Sequence, residues 1–240
     1  MTNDAAQLHV LISGGFTGAY ERLLPEFERL SGIAVATGSG ASQGAGPHTI
    51  AAQLARGVSA DVVILSREGL TELIAANKIA TGTDVDLARV PLGVAARAGT
   101  PKPDVRTVES FKQAMLKTKS VAIPASTSGI WLTKDLFPRL GIAAKLNVKT
   151  MPRGSDATRA VAAGDADLGI LPVSEILSAD GVDFAGSLAA EIQFVQTFSA
   201  ALVAGSKQHD GAKRLIDFLV SARAAAAIRD SGMEPLAIAK

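Results

Sequence analysis

Three times in this chain an apolar stretch of strand length runs straight into a helical stretch through small, hydrogen-bonding residues. These are Ser13-Gly14-Gly15-Phe16-Thr17, Ser126-Thr127-Ser128-Gly129 and Arg153-Gly154-Ser155-Asp156. Strands that feed helices in alternation point to layered α/β architecture, with parallel strands and helices packed on them. The same turns are potential anion sites. The first N–H groups of a helix have no partner within it, and that end carries roughly half a positive charge. Small residues let a ligand approach those amides closely. Three such ends converging on one crevice would suit a small, multiply charged carboxylate or oxyanion.

Hydrophobic periodicity supplies the order of elements. Residues 8–13 read as a strand. A helix follows over 17–30, with Tyr20, Leu23, Phe27 and Leu30 at helical spacing, Gly32 as its stop and Pro25 as a kink or first-turn residue. Next come a strand at 33–37, a Gly/Ser/Ala-rich loop at 38–46, and a helix from Pro47 to Gly57. A buried-type strand at 61–65 leads to a helix at 68–77. Beyond it lie a strand at 90–97, a Pro-rich stretch at 100–104, a helix capped by Thr107 that runs to about Leu116, and a strand at 120–123. The pattern continues with a helix at 128–140 closed by Gly141, a strand at 148–151, a helix at 155–163 closed by Gly164, and a strand at 168–171. A long apolar strand at 192–204 and helices at 210–221 and 222–230 complete it. No internal repeat or low-complexity segment interrupts this order. In open α/β sheets ligands bind beyond the carboxyl ends of the strands, which is where all three small-residue turns fall.

Composition narrows the chemistry. Nearly half of the 240 residues are apolar but only 4% are aromatic, so the core is built from Ala, Val, Ile and Leu, as suits close helix-on-sheet packing. The length allows one large domain or two modest ones. A formal net charge of +1 with interspersed signs gives no basic stripe, so nucleic acid is not an expected partner. The absence of cysteine excludes disulfides, thiolate chemistry and Cys-ligated metal sites. Apolar runs are too short and too interrupted for membrane insertion. Met1-Thr2-Asn3-Asp4 lacks the basic and apolar regions of a secretory leader, which leaves a cytoplasmic protein or one whose leader has been removed. No P-loop, zinc spacing, dinucleotide fingerprint or Ser-His-Asp order appears.

Four segments carry a family resemblance: Ile12-Ser13-Gly14-Gly15-Phe16-Thr17, Arg56-Gly57 leading into Ala60-Asp61-Val62-Val63-Ile64, Ser126-Thr127-Ser128-Gly129-Ile130, and Leu168-Gly169-Ile170-Leu171-Pro172-Val173-Ser174-Glu175. With them the chain resembles, over nearly its whole length, the type II periplasmic solute-binding fold, in the branch related to molybdate-binding proteins. The resemblance implies two α/β lobes joined by two crossover strands, with the ligand in an interlobe cleft. Lobe one would be residues 1–89 plus 197–240 and lobe two residues 90–196, with crossings near Arg89-Val90-Pro91 and Gln196-Thr197-Phe198. It also implies a small anionic ligand (tricarboxylate or oxyanion), a periplasmic location and a monomer.

Departures from the molybdate pattern point to a larger ligand. Gly15 stands where molybdate binders place a ligating serine, the second turn is lengthened from Ser39 to Pro47, and Pro172 stands where a tyrosine is common. The Ser-Gly-Gly-Phe-Thr opening and the Val-Ser-Glu segment are similar to an enzymatic branch, the aconitate isomerases, which interconvert trans- and cis-aconitate. The implied function is a cofactor-independent isomerase. The alternative is a non-catalytic binding protein that delivers a carboxylate or oxyanion to an ABC permease.

Aconitate isomerisation is an allylic 1,3-proton shift. It calls for donors to three carboxylates and one general base, with no redox cofactor and no obligatory metal. His48, near a helix start after the lengthened loop, is the candidate base, because histidine titrates near neutrality. The plain alternative is a surface histidine. His9 within a strand and His209 in a late loop are weaker candidates. Arg67 and Arg153, each at a strand-to-helix junction, are candidates for bidentate carboxylate contacts, or else solvated helix-opening residues. Ser13, Gly14, Gly15, Phe16 and Thr17 form the first candidate contact set, with Thr17 also a cap and Phe16 a packing residue or apolar wall. Ser39 and Ser42 in the long loop, Ser126, Thr127 and Ser128 at the second turn, and Ser174 complete it. Asp156 reads as a cap or first-turn acid. Trp131 reads as packing. Glu175 is a second candidate base, costly beside an anion unless protonated.

Overall fold

The computed structural model describes residues 7–236, and the opening tetrapeptide read above for leader features lies outside them. In chain order the elements are β1 (Leu8–Ile12), α1 (Gly14–Ser31), β2 (Val35–Ser39), α2 (Ile50–Ala55), β3 (Val62–Ser66), α3 (Arg67–Ala75), β4 (Val85–Arg97), α4 (Val108–Lys117), β5 (Val121–Pro124) and α5 (Thr127–Trp131). A π-helical turn at Leu132–Leu136 joins α5 to α6 (Phe137–Arg139). Then follow β6 (Val148–Met151), α7 (Gly154–Ala163), β7 (Leu168–Pro172), α8 (Val173–Leu177), β8 (Val182–Ser187), β9 (Val195–Leu202), α9 (His209–Leu219), α10 (Ala225–Asp230) and β10 (Glu234–Pro235). The chain forms two compact units. One runs up to Arg89 and resumes at Thr197, and the other is Val90–Gln196.

In the first unit β1 is the centre of a parallel set. It pairs with β2 (Leu8↔Val35) and with β3 (Val10↔Val62), while β9 joins β3 antiparallel (Val62↔Leu202). All five residues of β3 are buried, as expected for a strand covered on both faces. Helix α1 covers the sheet with Phe16, Ala19, Tyr20, Leu23 and Phe27, all buried at helical spacing. Pro25 sits within it, and Gly32 ends it in the left-handed conformation, with φ 69° and its N–H donated to Glu28 O.

In the second unit β5 pairs parallel with β6 (Val121↔Val148) and with β7 (Val121↔Leu168). The later part of β4 lies antiparallel to β7 (Leu92↔Pro172) and to β8, where the register shifts between Val94 and Ala95. Its core joins Val121, Ile123 and Ile170 from the sheet to Phe111 and Met115 of α4 and to Leu132, Leu136 and Phe137 beyond α5.

The element reading needs several corrections, each with a tertiary cause. Helix α1 starts at Gly14 rather than Thr17, because the close packing of Gly15 overrides the poor helix propensity of two glycines. Helix α2 starts at Ile50, not Pro47. Thr49 caps it through Ala52 N, while Pro47 and His48 lie in a turn held by the Ala41–Thr49 bridge. The stretch read as one strand at 192–204 is a 3-10 turn at Ala190–Ile192 followed by β9. Strands β8 and β10 and helix α8 had no sequence signal, being short and held by neighbours rather than by propensity.

Candidate functional site

Each unit collects the carboxyl ends of three parallel strands. In the first, Ile12 lies in register with Ser39 and with Ile64, so the ends of β1, β2 and β3 are level. Backbone bonds weld them: Ser13 N donates to Ile64 O (2.8 Å) and Gly40 N to Ile12 O (2.9 Å). In the second, the ends of β5 and β6 are in register at Pro124 and Met151, and Ala125 N donates to Met151 O (2.6 Å). Helices α1, α5, α7 and α8 spring from β1, β5, β6 and β7, and α3 from β3.

Among the described residues, side-chain caps occur at three helix starts and are missing at the rest, α6, α8, α9 and α10 included. Thr49, Ser66 and Thr107 cap α2, α3 and α4 with their own side chains. At α1, α5 and α7 the N-cap residues Ser13, Ser126 and Arg153 make no side-chain cap hydrogen bond. Neither α1 nor α5 carries an acid in its first turn to balance the helix dipole. These are the three junctions that the sequence marks.

Among the described residues, four buried side-chain oxygens have no hydrogen-bond partner: Ser13 Oγ, Glu68 Oε2, Glu175 Oε2 and Gln196 Oε1. Ser13 follows β1, Glu68 lies in the first turn after β3 and Glu175 in the first turn after β7. Gln196 stands near the start of β9, two residues before the Phe198 that pairs with Ser66. Buried polar groups are paired in most folded proteins, so each of these four oxygens calls for an account. Ser13 is the sharpest case, only 4% exposed at the mouth of an 18-residue helix.

The first set of candidate residues divides by burial. Gly14 is exposed, but Phe16 is fully buried against the Phe198 ring (centroids 6.4 Å apart), so it packs the core rather than offering a wall to a ligand. A Cβ on Gly15 would overlap that same ring, which is why this turn cannot carry a serine at position 15. Thr17 does not cap α1; its Oγ1 donates to Ser13 O at 3.2 Å. Ser39 is exposed at the end of β2. Ser42 is buried and its Oγ accepts from Ser66 N at 2.9 Å, so it ties the long loop to the start of α3. Ser66 had no sequence signal beyond its place before a helix. His48 is exposed, and its carbonyl accepts from Ala41 N.

The two arginines part company. Arg67 donates Nη1 to Asp84 (2.7 Å), Nε to Asp86 (2.7 Å) and Nη2 also to Asp86, whose Oδ1 accepts from Ser199 Oγ as well. Burial works against its charge, but the two carboxylates more than offset that and raise its pKa above its ordinary value. The expected carboxylate clamp is therefore corrected: this guanidinium fastens α3 to the start of β4. Arg153 engages Asp156 through Nε alone (3.2 Å), and Arg159 meets the other oxygen (2.9 Å). Burial opposes ionisation of Asp156, yet these arginines hold its pKa below the ordinary value. Asp156 is thus a first-turn acid of α7, with Arg153 as the N-cap residue.

In the second unit Thr127, Ser128 and Ser174 are buried and Ser126 is half-buried. Trp131 stacks on Phe194 with centroids 5.1 Å apart, which makes it a packing residue. Glu175 is the feature whose geometry the sequence did not reveal. A Cβ on Gly154 would overlap its Oε2, so the carboxyl lies against the first residue of α7. Burial pushes its pKa from 4.5 up to about 7. Among the described residues no group of three or more His, Cys, Asp or Glu side chains could hold a metal ion, and no helix is long and apolar enough to cross a membrane.

Over residues 8–234 the chain matches the family described as bacterial extracellular solute-binding protein. It is 35% identical over 230 residues to an aconitate isomerase of Pseudomonas sp, a match that covers 95% of this chain and 88% of that protein. Among solved structures it is similar to the sulfate-binding protein SubI of Mycobacterium tuberculosis H37Rv, with TM-score 0.74, 20% identity, and 96% and 87% of the two chains covered. It is also similar to the periplasmic molybdate-binding protein of Azotobacter vinelandii, with TM-score 0.71, 19% identity, and 94% and 98% covered. At those identities the structural likeness speaks to the fold alone.

Proposed function

This chain belongs to the family of bacterial extracellular solute-binding proteins and has the periplasmic-binding-protein fold, and we propose that it is a cofactor-independent aconitate isomerase working in the periplasm. The observation that carries the anion-binding part is the hydroxyl of Ser13, buried and unpartnered at the uncapped start of α1. A carboxylate there would accept from Ser13 Oγ–H and from helix-opening amides, satisfying an orphan and meeting the positive end of the dipole. Compact oxyanions would fit such an end too. The larger tricarboxylate is favoured by the identity to an aconitate isomerase and by the lengthened loop over residues 39–47.

The residues proposed for substrate contact are Ser13, Gly14, Gly15, Thr17, Ser39, Ser126, Thr127, Ser128, Arg153 and Ser174. Arg153 keeps both Nη groups outside its ion pair and offers them to a carboxylate. Ser42 ties the long loop to α3, and Arg67 ties α3 to the start of β4. The reaction is a proton shift along the allyl system of the substrate, with negative charge developing on a neighbouring carboxylate. Fixed amides at helix ends stabilise that charge without reorganising. His48 is retained as a base candidate on residue type and place in the loop.

Purified protein mixed with trans-aconitate should produce cis-aconitate, followed by chromatography or absorbance. Saturable binding without conversion would instead favour the second reading, a carrier that serves an ABC permease, which the family match itself motivates. Tight binding of molybdate with no thermal shift from aconitate would overturn the carboxylate assignment. Full turnover in His48→Ala would remove His48 as the base.

A further inference from the structure

We infer that Glu175 carries the proton in the allylic shift, taking it from one carbon of the substrate and returning it to another. This deepens the isomerase reading and rests on it. Glu175 lies in the first turn after β7, at a strand end, and Ser174 beside it is buried. Its carboxyl fills the space that a side chain at position 154 would take, so it is held against the opening residue of α7, the helix that follows β6. Parallel pairing of β7 and β6 with β5 places both junctions at the same end of one sheet.

The second observation is an orphan oxygen on this carboxyl. Its Oε2 is buried and accepts nothing, although the residue itself is only half-buried. A structural acid in such a place would be paired, as Asp61 is by His9 N and Ser206 Oγ, or as Asp156 is by Arg153 and Arg159. Glu68 also has an orphan oxygen, but it occupies the first turn of α3 beside Arg67, whose guanidinium is committed to Asp84 and Asp86. The charged groups on the elements packed against α8 are Asp156 and Arg159 of α7 and Asp183 of β8, and no described ion pair joins Glu175 to a cation.

The third is protonation. Burial leaves the acid and carboxylate forms comparably populated near neutrality, as suits a group that must both accept and donate a proton at one pH. A neutral acid also removes the repulsion that an ionised carboxyl would exert on a tricarboxylate.

The step balances within the substrate. The Glu175 carboxylate takes a proton from the methylene carbon of trans-aconitate. The C–H electron pair enters the allyl system, and its charge spreads onto the adjoining carboxylate. The double bond migrates, its cis geometry set by the bound conformation, and the new Glu175 O–H returns its proton to the carbon at the far end. One C–H bond breaks and one forms, Glu175 ends as it began, and no oxidant or co-reactant is consumed.

Glu175→Gln is the test, because it keeps shape and the neutral charge of the buried acid. With trans-aconitate as substrate, kcat should fall roughly 100-fold or more while KM changes only a few-fold. The wild-type kcat should show a limb near pH 7 that the variant lacks. Trans-aconitate deuterated at the methylene should return part of its label to the former vinylic carbon in the wild type. If Gln unfolds the chain, Glu175→Asp, which withdraws the carboxyl by one methylene, should lower kcat at least tenfold while preserving the pH limb. Full turnover in a folded Gln or Asp variant overturns the role of Glu175 and leaves the isomerase reading standing. A wild-type protein that binds trans-aconitate but never converts it overturns that reading, and this role with it.

Discussion

The carboxyl of Glu175 lies where the first side-chain carbon of any larger residue at Gly154 would sit. The overlapping atoms are the far end of a flexible side chain, so in Gly154→Ala the carboxyl yields before the backbone does. At the first position of α7 alanine gains less than the ~1 kcal/mol it gains in a helix interior, so propensity offsets part of the displacement. At pH 5, where the acid is largely protonated, stability should therefore stay within about 1 kcal/mol of wild type, while the carboxyl moves towards water. Urea titrations at pH 5 and pH 8 check this. The pH-dependent part of stability should shrink in Gly154→Ala, with the value at pH 5 near wild type and the value at pH 8 above it, because an ionised carboxyl in water no longer carries the burial cost.

The same burial predicts a direction for acid–base linkage. Glu175 has its pKa raised from 4.5 to about 7 in the folded chain. Below about pH 4.5 it is neutral whether folded or unfolded, and its full contribution is present. As pH rises towards 7 the unfolded chain releases the proton and the folded chain keeps it, so stability falls with rising pH across that window and then levels off. The size is roughly 3 kcal/mol, since each tenfold difference in proton affinity between the folded and unfolded chain is worth about 1.4 kcal/mol. Glu175→Gln has no proton to lose, so its stability advantage over wild type should grow between pH 4.5 and 7. An advantage that is constant with pH would show that the carboxyl is not buried in solution.

How much of this was legible in the sequence depended on whether the cause was local. The three helix starts at Ser13, Ser126 and Arg153 could be read because strand period, small residues and helix period follow one another within a few positions. Thr107 could be read as a cap for the same reason. What could not be read depends on partners far along the chain. Arg67 looked like a free cation because Asp84 and Asp86 come 17 and 19 residues later. Phe16 read as packing or as a wall, and only Phe198, lying against it and against Gly15, decides for packing. Ser42 seemed a loop hydroxyl, and only the fold brings it to Ser66 N, 24 residues on. Glu175 was visible as an acid in an awkward place, but its seat against Gly154 arises from two strands pairing through a third.

Arg67→Ala should act on stability before it acts on binding. It leaves Asp84 and Asp86 without their shared cation, and these groups are about a third or more exposed, so solvent screening holds the cost to about 1 kcal/mol. The thermal midpoint should drop by a few degrees and recover partly with added salt, which screens the remaining repulsion between the acids. Affinity for trans-aconitate should change less than about threefold. A tenfold loss of affinity with an unchanged midpoint would return Arg67 to the carboxylate contacts.

Ser13→Ala should move stability and binding in opposite directions. In the free chain the hydroxyl is buried, caps nothing and has no partner, so the fold carries its desolvation penalty, about 1–3 kcal/mol for an unsatisfied polar group. Alanine removes that penalty at little loss of packing, and the backbone bond from Ser13 N to Ile64 O does not need the side chain. The variant should thus be as stable as wild type or more so. A bound carboxylate loses one donor, worth about 1.5–3 kcal/mol for a hydrogen bond to a charged group, hence roughly tenfold to 100-fold in affinity. Calorimetric titration with trans-aconitate and a denaturant curve on the same preparation measure both. A variant that is less stable and binds normally would make Ser13 a structural residue and remove the support that its orphan hydroxyl gives to anion binding at the start of α1.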